Sequence, residues 1–158
     1  MKVAVIGIGQ SMRGDDAIGL EAVQNWQRNY RQTASHPEVI VEITELPGLD
    51  LLERLNTVNA AVLVDAVRSN SPVATIHRLD LNQLSAFSTT GQSAHGWGLA
   101  ETLTLARKMN FPAGNIDIRI IGVEVGQVEL GRGLSKEIEG AMPTICAAIE
   151  ATLQALLD

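Results

Sequence analysis

The chain has a single cysteine, 3% aromatic residues and a deficit of positive charge, and each scarcity narrows what the protein can be. One thiol, Cys146, cannot form an internal disulfide, so a disulfide-stapled scaffold is excluded. Its place in an apolar helical pattern marks it as a small buried hydrophobe in a reducing compartment. With few aromatics but 46% hydrophobic residues, the core has to be built from Val, Ile, Leu and Ala, the texture of an α/β protein. Twelve Lys and Arg against eighteen Asp and Glu give a net charge of −6, with no basic stretch or aromatic ladder for a nucleic-acid backbone. The first apolar run, in "MKVAVIGIGQ", is too brief for a signal sequence or a membrane span. Repeats, low-complexity tracts and linkers are also missing. The expectation is one soluble, cytoplasmic domain over residues 1–158, with neither nucleic acid nor membrane as partner.

Five apolar runs read as strands: Lys2–Gly7, Val39–Glu45, Ala60–Val67, Ala74–Leu79 and Ile116–Val125. Most are too continuously apolar to have a wet face, as expected of strands covered on both sides. Helical spacing links Ile18, Ala22, Val23 and Trp26, then Leu49, Leu52 and Leu55, then Leu99, Leu103 and Ala106. A final stripe runs from Ile138 through Ile145 and Ile149 to Leu156, with Ser135 as its N-cap and Pro143 expected to kink or divide it. The order β-α-β-α-β-β-α-β-α predicts a three-layer αβα sandwich around a mostly parallel five-stranded sheet. The short "RSNSP" connection allows one edge strand to be antiparallel. The longest stretch without a core pattern is Ser85–Gly98, a length of loop that often carries function.

Residues 7–22, "GIGQSMRGDDAIGLEA", place glycines between an apolar strand and a helix. The spacing departs from a dinucleotide fingerprint, because Met12 stands where the third glycine belongs. A phosphate there would also face Asp15 and Asp16, and like charges about 4–6 Å apart repel. Asp15 can instead cap the helix, leaving Asp16 to project from the carboxyl edge of the sheet as an oxygen ligand; equally, both can serve only as caps. Asp65, after "AAVLV", is costly in an apolar run unless it projects into the same crevice or caps the next turn. His95, in "SAHGWGLAETLTLA", stands where a helix begins, and the dipole there favours a neutral imidazole able to take a metal or a proton. Asp16, Asp65 and His95 come from three successive sheet-edge segments. Two carboxylates and an imidazole suit a borderline divalent cation such as nickel or zinc. His36 and His77 receive no role.

These motifs together resemble the hydrogenase maturation endopeptidases, which process the large subunit of nickel–iron hydrogenases. The likeness includes "GIGQSMRGDDAIG", "LVDAV" and "SAHGWGLAETLTLA", extends to "TELPGLDLLERL", "IGVEVG" and "LSKEIEGAMPTI", and covers nearly the whole chain in order. The resemblance implies a compact αβα fold and removal of a C-terminal extension from the large-subunit precursor after nickel insertion. It also implies metal-contacting positions at Asp16, Asp65 and His95. Asp16 stands where some members have Glu, and Gln10 where the family more often has Asn. Nickel then belongs mainly to the substrate, bound to the precursor's cysteines, and the metal or an Asp acting as base activates water. No Ser-His-Asp or Cys-His arrangement is apparent.

Outside the trio, Pro47–Gly48 reads as a turn and Asp50 as a helix starter, or as a loop flanking the substrate groove; Arg13 reads as a solvated cation. The surface pattern fits a monomer. Two other classes compete, a nucleotide-binding α/β domain and a non-enzymatic nickel carrier using the same trio.

Overall fold

The computed structural model describes the chain outside residues 10–13, 46–47, 85–91, 94–98 and 127–132. Its strands are β1 (Val3–Ile8), β2 (Val39–Thr44), β3 (Ala60–Arg68), β4 (Ile76–Asp80), β5 (Gln92–Ser93) and β6 (Asp117–Glu124). Its helices include α1 (Ile18–Asn29), α2 (Arg31–Ala34), α3 (Leu49–Leu55), α4 (Leu99–Lys108) and α5 (Lys136–Leu157), with 3-10 turns at Gly14–Ala17 and Pro112–Gly114.

The sheet runs β2-β1-β3-β6-β4. β2, β1, β3 and β6 are parallel, and β4 pairs antiparallel with β6, so the expected antiparallel edge strand is present. The two-residue β5 pairs antiparallel with the end of β3 and is an addition to the five strands foreseen; it falls inside Ser85–Gly98. Two residues are too few to carry an alternating pattern, and what defines the strand is its backbone pairing with β3.

Burial follows position in the sheet. Every residue of β1 is buried, and so is every residue of β3 except Arg68, whereas the edge strands β2 and β4 are largely half-buried. On one face Val3, Val5, Val62 and Val64 pack with Trp26 of α1 and Ile149 of α5. On the other, Ala4, Ile6 and Leu63 meet Leu51 and Leu55 of α3 and Leu103 of α4. The three-layer αβα sandwich with its mostly parallel sheet is therefore the observed fold.

Helix α5 runs through Pro143 without division, contrary to one of the two outcomes expected there. Its 22 residues are long and apolar enough by length and composition to cross a membrane. Here its apolar stripe, including Ile138, Ile145 and Leu153, is buried against the sheet and α1. Trp26 Nε1 and Thr33 Oγ1 both donate to the Glu150 carboxylate, at 2.8 and 2.7 Å, fastening α5 to α1 and α2.

Candidate active site

In an open α/β sheet ligands bind outside the carboxyl ends of the strands where the chain order reverses. Here the chain leaves β1 for β2 on one side and later returns to β3 on the other, so the reversal lies between β1 and β3. Asp16 follows β1 and Asp65 is near the end of β3, which puts both on that crevice.

Glycine makes the crossing tight. A Cβ on Gly19, the second residue of α1, would fall well inside contact distance of the Ile8 and Val64 carbonyl oxygens, and one on Gly7 would strike the Gly19 carbonyl. The start of α1 therefore lies directly on the ends of β1 and β3. The turn three residues earlier packs against β3 in consequence. Gly14 opens that turn at φ 55°, a conformation glycine adopts without steric cost. These glycines serve the helix–sheet approach, which accounts for their spacing without a phosphate.

The two aspartates of the turn have different duties. Asp15 is 2% exposed and accepts hydrogen bonds from Ser135 N–H (2.6 Å, Oδ1) and Ser135 Oγ–H (2.9 Å, Oδ2). It is not the α1 cap expected from sequence. The N-cap position belongs to Ala17 without any side-chain cap, and the Asp15 carboxylate reaches across the fold to the start of α5. Ser135 does sit at the N-cap of α5, but its hydroxyl is committed to Asp15 rather than to its own helix. Asp16 is fully buried, at 0% exposure.

Asp65 is 2% exposed and accepts from the Ala66 amide at 2.8 Å through Oδ1. Alternation along β3 puts it on the same face as Ala61 and Leu63, the face covered by α3 and α4. Two carboxyl groups buried beside one crevice are oxygen donors of the kind that could hold a divalent cation. His95 lies outside the described residues, as do Gln10, Arg13 and Pro47. Among the described residues no three His, Cys, Asp or Glu side chains form a metal-holding group. Gly48, expected only as part of a turn, occupies the N-cap position of α3, and Asp50 stands in its first turn, as read from sequence.

Beside Ala17 a cleft of about 570 Å3 opens between α1, the end of β2 and α3. Leu20 and Ile43 give it apolar wall, Glu21 and Glu45 give it charge, and Arg54 at its side is held by Glu42 and by Asp50 (3.0 Å). Burial and the neighbouring Glu139 raise the pKa of Glu21 above the usual carboxylate range.

A second polar group at the same edge escaped the sequence reading. Glu124, 2% exposed at the end of β6, accepts from Ser69 N–H (2.8 Å) and Ser69 Oγ–H (2.5 Å), and its Oε1 lies 3.1 Å from His77 Nε2. This is no Ser-His-acid relay. The carboxylate and the hydroxyl both meet the same ring nitrogen, whereas a relay needs the acid on the other one. The available signal was an acid closing an apolar strand, the same signal that singled out Asp65. Cys146, in turn, is buried and points its thiol at the Ala22 carbonyl (3.7 Å), with burial pushing its pKa up, as befits an unreactive core residue.

Comparison with known proteins agrees with this fold. The chain is 28% identical over 153 residues to the hydrogenase expression/formation protein HupD of Thiocapsa roseopersicina, covering 94% of this chain and 66% of that protein. It is 28% identical over 160 residues to the hydrogenase 2 maturation protease of Escherichia coli, covering 99% and 89%. Its fold matches the solution structure of an endopeptidase from Escherichia coli with a TM-score of 0.81 at 22% identity, covering 98% of this chain and 93% of that one. Residues 30–152 match the family model described as hydrogenase maturation protease, a span that includes Asp65 and His95 and begins after Asp16. With a matching sheet, a matching span over most of its length and acidic residues at the switch point, the chain belongs to the hydrogenase maturation protease family.

Proposed function

We propose that this protein is the endopeptidase that removes the C-terminal extension of a nickel–iron hydrogenase large-subunit precursor after nickel insertion. The observation that supports it most is the juxtaposition, in a chain of this family, of the turn bearing Asp16 with the end of β3 bearing Asp65. Nickel arrives with the precursor, as substrate, and is read by Asp16, Asp65 and His95.

Oxygen donors from one turn and one strand end, with one imidazole, form a mixed set suited to a borderline cation, and three ligands leave room for the groups that carry it in. A bound metal supplies positive charge to polarise the peptide carbonyl or a water molecule. The chain's own residues do the rest. Asp16 and Asp65 concentrate negative charge at the crevice, and either carboxylate can take the proton of the attacking water. The protein works as a cytoplasmic monomer, with the precursor as its partner and no part for nucleic acid or membrane.

Purified protein mixed with nickel-loaded precursor tests the site directly, with the precursor's intact mass as readout. His95→Ala abolishes the loss of the C-terminal peptide while the melting temperature stays at its wild-type value. Unchanged cleavage by that variant contradicts its place in the trio.

A further inference from the structure

We infer that Glu124, with Ser69 and His77, is a positioning device that fixes the exit of β3 and, through it, the geometry around Asp65. This rests on the proteolytic reading above and extends it to residues with no part in the expected trio.

The backbone of Glu124 already holds the β4 side of the connection. Its amide donates to Thr75 O (2.9 Å), and its carbonyl accepts from Ala74 N–H (2.8 Å). The side chain is therefore not needed to close the β3–β4 connection, and it turns instead to the β3 side. There it takes both the amide and the hydroxyl of Ser69, the residue that follows the last residue of β3. His77 approaches Oε1, the oxygen that takes the Ser69 hydroxyl, from β4, while the Ser69 amide uses Oε2, so three strand ends are joined through one buried carboxylate. A carboxylate buried to this degree is unfavourable unless its donors are in place, so the arrangement admits little slack.

The held segment leads to the crevice in two ways. Asp65 lies four residues before Ser69 on the same strand, and its register partner is Gly122, whose other partner is His77. Alternation puts Asp65, His77 and Glu124 on one face of the sheet, so Asp65 and His77 flank a residue without a side chain. Val67 and Arg68, between Asp65 and Ser69, are the residues that pair with Ser93 and Gln92 of β5. His95 follows Ser93 by two residues in the sequence. Ser69 anchors the strand just past its last β6 pair, Val67–Glu124, so loosening it gives play to the end of β3, where the β5 ladder at Val67 and Arg68 begins two residues beyond Asp65.

The test uses full-length protein and nickel-loaded precursor in single-turnover reactions, comparing wild type with Glu124→Gln and Ser69→Ala. Amide exchange at Val67, Arg68 and Ser93 and the melting temperature are followed in the same samples. Glu124→Gln is expected to slow cleavage at saturating protease by about 10- to 100-fold, the range seen when groups supporting a site residue are lost. The protease concentration at half-saturation stays unchanged, and exchange at the three amides quickens. Ser69→Ala moves the same readouts in the same direction by less. An unchanged saturating rate in folded Glu124→Gln overturns the inference, as does a rate loss that merely tracks the folded fraction. If Glu124→Gln fails to fold, Ser69→Ala decides alone, and a wild-type rate there overturns it. Wild-type protein that leaves the precursor intact is a separate outcome: it removes the proteolytic reading and this inference with it.

Discussion

Replacing Asp15 by alanine leaves the Ser135 amide and hydroxyl without the carboxylate that both use. A buried donor left unmet costs about 1–3 kcal/mol, so Asp15→Ala should lower the unfolding free energy by that amount in urea titrations, and Ser135→Ala by less. The turn shared with Asp16 loosens as well, so processing should fall further than stability alone explains. Glu21 gives the pH dependence. Its pKa is raised in the folded state by burial and by Glu139, so the folded protein favours the protonated acid. Its contribution to stability is therefore fullest below the unfolded carboxylate range and is lost as pH rises through the folded value. Glu21→Gln should raise the melting temperature at pH 7 and leave it unchanged near pH 4; no gain at pH 7 contradicts the assignment. Cys146, with its raised pKa and core position, should resist iodoacetamide in the native protein and react only after denaturation.

At the scale of elements, the crossing of α1 over β1 and β3 is set by the absence of a side chain at Gly19. Gly19→Ala pushes a methyl group against two strand carbonyls that cannot move without breaking the sheet. Overpacking of this kind costs about 1–3 kcal/mol or more, which at this size lowers the melting temperature by on the order of 5–10 °C. Periodicity predicted the five long strands and the four main helices because each buries a face large enough to print a pattern on its residues. It was silent on β5, on α2 and on the 3-10 turns, which are too short to carry one. The same limit applies at the site. Asp65 stood out as an acid in an apolar strand and Asp16 as an acid at a helix start; Glu124 closes an apolar strand in the same way, but the residues that give it significance, Ser69 and His77, lie 55 and 47 positions away. The Asp15–Ser135 bond, spanning 120 residues, was equally illegible: sequence offered a local cap for each residue, and the fold joins the two instead.

For the whole molecule, one topological feature ties the parts together. A sheet order that reverses between β1 and β3 creates the crevice, glycines bring the helix end down on it, and two buried aspartates occupy its rim. The net charge of −6 suits a cationic partner better than a phosphate backbone. The most direct test is to incubate the wild-type protein with nickel-loaded and nickel-free large-subunit precursor and follow the intact mass of each. Loss of a C-terminal peptide from the nickel-loaded form alone is the predicted result. Equal cleavage of both forms would contradict the reading of nickel by the aspartate crevice, and cleavage of neither would contradict the peptidase itself.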